Sequence, residues 1–72
     1  MDMNEHHDIQ FLNTVLTRWD IRIGELWLQY FGLGGAASEF DIEAHLQALI
    51  SLPHCERQLL QMAAEEIIAT SQ

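Results

Sequence analysis

Four groups of residues carry side chains able to do chemistry. Asp2, Glu5, His6, His7 and Asp8 bring five potential metal ligands together near the start of the chain. Adjacent side chains on a helix diverge by about 100°, so His6 and His7 do not close on one ion. Glu5 with Asp8, or Asp2 with His6, are the pairs that can share a face. His54 and Cys55 set an imidazole beside a thiol, but they diverge in the same way. His45 reaches His54 only if helix register brings the two opposite each other. Cys55 is the only cysteine in the chain, which excludes an intrachain disulfide and a four-cysteine zinc site. Nucleophilic catalysis by that thiol needs a positioned base and a pocket, and 72 residues leave little room for one. Gly32-Leu33-Gly34-Gly35 has the composition of a phosphate loop. It follows a helical segment rather than a strand and lacks the Lys-Ser/Thr pair, so it reads as a helix stop. Trp19, Trp27, Tyr30 and Phe31 recur at helical spacing. Aromatic residues so arranged build a core or a protein contact surface.

The chain that positions these groups is a single small domain, residues 1–72. Apolar residues make up 49% of it, too many for a disordered segment. A core of this size offsets the ordering entropy only narrowly, so further burial against a partner is expected. Eleven acidic residues face three arginines (Arg18, Arg22 and Arg57), and the net charge is −8. That balance argues against direct nucleic-acid binding, which requires phosphate neutralisation, and against anionic membrane surfaces. No apolar run approaches the roughly 20 residues of a membrane span. The acidic, polar start Met1-Asp2-Met3-Asn4-Glu5 is unlike a signal peptide, and a cytoplasmic location is expected.

Gly and Pro divide the chain into helical segments, and no strand pattern occurs. Ile9, Leu12, Leu16, Trp19, Ile23, Leu26, Tyr30 and Leu33 follow an unbroken alternation of three- and four-residue steps, a heptad seam. The seam predicts one long N-terminal helix, capped by Asn4, from about Asn4 to Leu33. Asp20 and Gly24 mark a possible bend or division. Such a helix would be about 43 Å long. Ser38-Glu39-Phe40-Asp41 is close to a capping box and opens a second helix, with Ile42, Leu46, Leu49 and Ile50 as its inner stripe. Pro53 ends that helix and fits the first turn of a third, whose inner face carries Cys55, Leu59, Leu60, Met62, Ala63 and Ile67. The two short helices should form an antiparallel hairpin. The fold class is thus all-α: one long helix plus a C-terminal helical hairpin. Leu16, Trp19, Ile23, Leu26, Ile42, Leu46, Leu49, Leu59, Ala63 and Ile67 are the expected core. Glu56, among apolar neighbours, would pair with Arg18 or Arg22.

Ala48-Leu49-Ile50-Ser51-Leu52-Pro53, with Arg57 and Leu60, resembles the entrance to the helix-turn-helix of sigma-factor region 4. The glycine turn and recognition helix of that motif do not follow in this sequence, and no family is assigned on it.

Between Ile21 and Leu33 the polar residues shrink to Arg22, Glu25 and Gln29, leaving more apolar surface than a short hairpin covers. Trp27, Leu28, Phe31, Ile21 and Tyr30 are therefore the expected interface residues. These features point to a small acidic, non-enzymatic interaction module, homodimeric and regulatory or adaptor in role, acting on a partner with a basic surface. No catalytic residue, metal site or cofactor is assigned. The alternatives are a metal-binding protein using the N-terminal Asp/Glu/His cluster and a nucleic-acid mimic that blocks a DNA-binding protein.

Overall fold

Asp20 ends the first helix. In the computed structural model, which describes the backbone of residues 3–71 and the side chains of residues 6–70, Asp20 adopts the left-handed conformation (φ 53°). The Ile21 amide then donates back to the Leu16 carbonyl (2.9 Å) and the Asp20 amide to Thr17 (3.4 Å). This pair of bonds satisfies the last carbonyls of a helix and turns the chain away. The expected long helix is therefore two: α1 (Met3–Arg18) and α2 (Ile23–Gly32). They are followed by α3 (Glu39–Leu46) and α4 (His54–Ser71). The fold is all-α, and no strand occurs among the described residues. Because α1 begins at Met3, Asn4 falls inside the helix instead of capping it.

The physical reason for the break lies in what covers the seam. Both α1 and α2 pack on α4, whose 18 residues span about 27 Å. A straight helix of about 43 Å would leave its end uncovered. Folding at Asp20 brings both halves over α4 within a longest dimension of 33 Å. The third helix packs on α2 and α1 instead of forming a hairpin with α4, a second correction to the expected arrangement. The common core holds Leu12 and Val15 of α1, Ile21 before α2, Leu26 and Tyr30 of α2, Ile42 and Leu46 of α3, and Leu60, Ala63 and Ala64 of α4.

Ser38 caps α3 as its sequence predicts. Its hydroxyl accepts from the Asp41 amide (3.1 Å) and the Asp41 carboxylate from the Ser38 amide (3.4 Å). The helix stops sooner than expected, because Ala48 is left-handed (φ 62°) and the Leu49 amide returns to the Ala44 carbonyl (2.9 Å). Leu49 is thereby swung outward and is exposed, as is Trp19 just beyond α1. Neither belongs to the core. Leu16, Ile23, Leu59 and Ile67 are half-buried, whereas Leu26, Ile42, Leu46 and Ala63 are fully inside. Two cross-ties fix α1. Its Asn13 amide donates to the Leu46 carbonyl (3.0 Å), and its Asp8 carboxylate lies 3.8 Å from the Arg57 guanidinium.

Candidate functional site

Gly34 and Gly35 set the orientation of α2. Gly34 is left-handed (φ 100°), a conformation that costs glycine nothing sterically. It lets the Gly35 amide donate to the Tyr30 carbonyl and the Gly34 amide to Phe31. The chain after the helix then folds back over Tyr30, and a Cβ on Gly35 would lie 2.1 Å from the Tyr30 ring. Only glycine permits that approach. The Tyr30 hydroxyl, fully buried, donates to the Glu56 carboxylate and accepts from the Ala37 amide (2.8 Å). Glu56 also accepts from the Ala36 amide (3.0 Å). These bonds to the ionised carboxylate, Ala36 first and Tyr30 second, hold the Glu56 pKa below its ordinary value against the opposing effect of burial. Burial, and then the bond to Glu56, push the Tyr30 hydroxyl up, so it stays a donor. Neither Arg18 nor Arg22 serves Glu56. Its position on α4 explains why: at about 100° per residue, Glu56 falls about 30° from the centre of the inward face of Leu60, Ala63 and Ala64, where it meets Tyr30. Cys55 lies about 130° from that centre and is exposed, which corrects its expected burial.

The clamp presents the opposite side of α2 to solvent. Trp27 is half-buried; its indole N–H donates to the Ala37 carbonyl (3.0 Å), and Phe31 stacks on it with ring centroids 5.2 Å apart. Phe31 is 57% exposed and Leu28 63% exposed. Of the five expected interface residues, the structure places these three on one surface. Ile21 and Tyr30 are instead buried within the chain itself, because the break at Asp20 turns Ile21 inward and the clamp holds Tyr30.

Two glycines complete this surface. On α2, Gly24 and Gly32 flank Leu28 at four-residue spacing. A Cβ at Gly32 would meet nothing within 4 Å, and one at Gly24 would make ordinary contact with the Glu39 carboxylate at 3.7 Å. Neither glycine has positive φ. Gly24 is the second residue of α2 and Gly32 its last, where glycine costs a helix less than at an interior position, and neither has a packing reason inside the chain. Acidic groups border the strip. Glu39 lies on the α3 side, beside a groove lined also by Arg22, Gly24, Glu25, Trp27 and Leu28. On the α4 side, Glu66 accepts from Gln29.

A smaller hollow between Phe40, Glu43, Ala44, Gln47 and Leu49 lies on the outer side of α3, with Phe40 79% exposed. The other sequence candidates do not converge. His6 and His7 are both exposed, with ring centroids 6.4 Å apart. Asp2 and the Glu5 side chain lie outside the described residues. Among the described residues no group of three His, Cys, Asp or Glu side chains could hold a metal ion. His45, expected at the edge of its helix, is fully buried, its Nδ1 3.3 Å from the Ile50 carbonyl oxygen. No described helix is long and apolar enough to cross a membrane. No protein-family model, curated protein or solved structure matches the chain.

In the sequence Gly24 reads as a bend and Gly32 as part of a helix stop; the features missed there are their shared face with Leu28 on α2 and the Tyr30–Glu56 clamp. The signal for the glycines was their common spacing with Leu28. For the clamp it was a lone carboxylate, Glu56, on an otherwise inward face.

Proposed function

We propose that this chain is a non-enzymatic protein–protein interaction module, regulatory or adaptor in role, that docks through the outer face of α2 onto a partner with a basic surface. The observation that carries the reading is the placement of Leu28 and Phe31, both more than half exposed, beside Trp27 on a helix whose other side is locked to the core. Apolar aromatic surface of this kind is enriched at the centres of protein interfaces. The net charge of −8 supports a basic partner through complementary potentials.

Self-association is the second reading, favoured by the same pair, since a two-fold axis would set Leu28 and Phe31 of two copies together. The expected grounds for a dimer were stronger: they included a straight helix too long to cover, and the chain breaks that helix at Asp20 so that both halves lie on α4. A Leu28→Ser/Phe31→Ser double variant tests the function. Exposed positions tolerate such changes at a cost under about 1 kcal/mol, so its melting by circular dichroism should stay near that of the parent. Association should be lost, read by sedimentation of the chain itself and by comparing the proteins retained by parent and variant. Equal association by parent and variant refutes the reading.

A further inference from the structure

We infer that the outer face of α2 receives a basic, amphipathic helix of another protein, which crosses close to the α2 backbone over Gly24 and Gly32. The inference rests on the interaction-module reading and names the occupant of its site. Three observations lead to it.

The first is the pair of glycines. On the helical wheel, Phe31, Gly24, Leu28 and Gly32 follow one another across about 100°. Leu28 and Phe31 are the only side chains that project from this strip. Interhelical distance is set by the side chains at the contact, and glycine lets another backbone approach closely. Nothing inside the chain uses the space at Gly32. The second is shape. The strip is one helix wide and, at ten residues, about 15 Å long, which is the footprint of three turns of a crossing helix.

The third is charge. Glu39 stands on one side of the strip and Glu66, held by Gln29, on the other. Glu25 adds a further carboxylate, and Arg22 is the single cation lining the groove beside it. A second copy would bring the same carboxylates against these, whereas Lys or Arg residues flanking apolar anchors would pair with them. Helix-in-groove recognition takes this form, with anchors spaced three or four residues apart.

The probe is a fluorescein-labelled Leu–Lys amphipathic peptide of about 14 residues, with a Leu–Glu peptide of the same pattern as its control. Fluorescence anisotropy should show binding of the Leu–Lys peptide only, weakening as salt rises from about 50 to 500 mM. Attraction by net charge would give the same salt dependence, so the variants decide. Leu28→Glu makes the protein more acidic and should nonetheless weaken binding by about tenfold or more; unchanged or tighter binding overturns docking at this face. Gly32→Ala should weaken binding several-fold while its melting temperature stays level or rises. Unchanged affinity in Gly32→Ala overturns the close crossing.

Sedimentation of the same proteins separates the two levels of the argument. A parent dimer that Leu28→Ser/Phe31→Ser dissolves, with no binding of the Leu–Lys peptide, leaves the interaction module standing and overturns its basic-helix occupant. Peptide binding and association that are both indifferent to the double variant overturn the two together.

Discussion

Removing one oxygen from the core should show what holds α2 in place. Tyr30→Phe keeps the ring under Gly35 and deletes only the hydroxyl. That hydroxyl serves both sides of the clamp, donating to Glu56 and accepting from the Ala37 amide at 2.8 Å. Its loss removes a bond to a charged acceptor and leaves a half-buried amide without its partner. Hydrogen bonds to charged groups contribute about 1.5–3 kcal/mol, and an orphaned buried donor costs about 1–3 kcal/mol. Relaxation around the site allows the two effects to overlap, so the expected loss is about 2–3 kcal/mol at pH 7. Urea denaturation followed by circular dichroism reads it directly. With an m-value of about 1 kcal/mol/M, the midpoint should fall by about 2–3 M. The loss should depend on pH with a definite sign. The Glu56 carboxyl is held below its ordinary value of 4.5. Its contribution is therefore present above about pH 4.5 and is lost as pH falls through the lowered folded value. Tyr30 is one of the two groups that lower it, so the gap between parent and variant should narrow on acidification. A loss under about 0.5 kcal/mol at pH 7, or a gap that widens as pH falls, refutes the clamp.

Gly35→Ala should destabilise by about 1–3 kcal/mol or more, because its Cβ would lie 2.1 Å from the Tyr30 ring; thermal melting checks it, and a neutral result contradicts the close approach. Ala48→Gly should stabilise by about 0.5–1 kcal/mol, since Ala48 holds φ at 62°; a lower melting temperature would show that this turn is not strained. Leu46→Ala should cost about 2–5 kcal/mol in chemical denaturation, as expected of a side chain only 6% exposed between helices.

The sequence carried the inner faces of the helices better than their ends. Leu26, Ile42, Leu46 and Ala63 were legible from periodicity because burial repeats with the helical turn. The capping box at Ser38 was legible because two side chains a fixed distance apart must reciprocate. The break at Asp20 was legible only as the alternative to one continuous helix, since the apolar seam keeps its phase across it and local pattern favours continuity. What decides there is the length of α4, a tertiary quantity that no local window contains. Ala48 was illegible for a related reason: alanine is a strong helix former, and its left-handed turn is imposed from outside. In the candidate site, Trp27, Leu28 and Phe31 could be chosen because the polar sector of α2 is narrow. Ile21 and Tyr30 share that apolar circumference, and only the chain's path after Asp20 and Gly34 assigns them to the inside.

The role of α4 as common cover for α1 and α2 has a consequence during synthesis. Chains grow from the N-terminus at about 5–20 residues per second, so the 18 residues of α4 take about 1–4 s to appear. When that interval begins Leu12, Leu26 and Tyr30 already exist, while Leu60, Ala63 and Ala64, which complete the core around them, are still to be added partway along α4. The nascent chain therefore passes through a stage in which its apolar residues are made before their cover. A cut within α4 would recreate that stage in the finished protein: it would open the core instead of trimming an end.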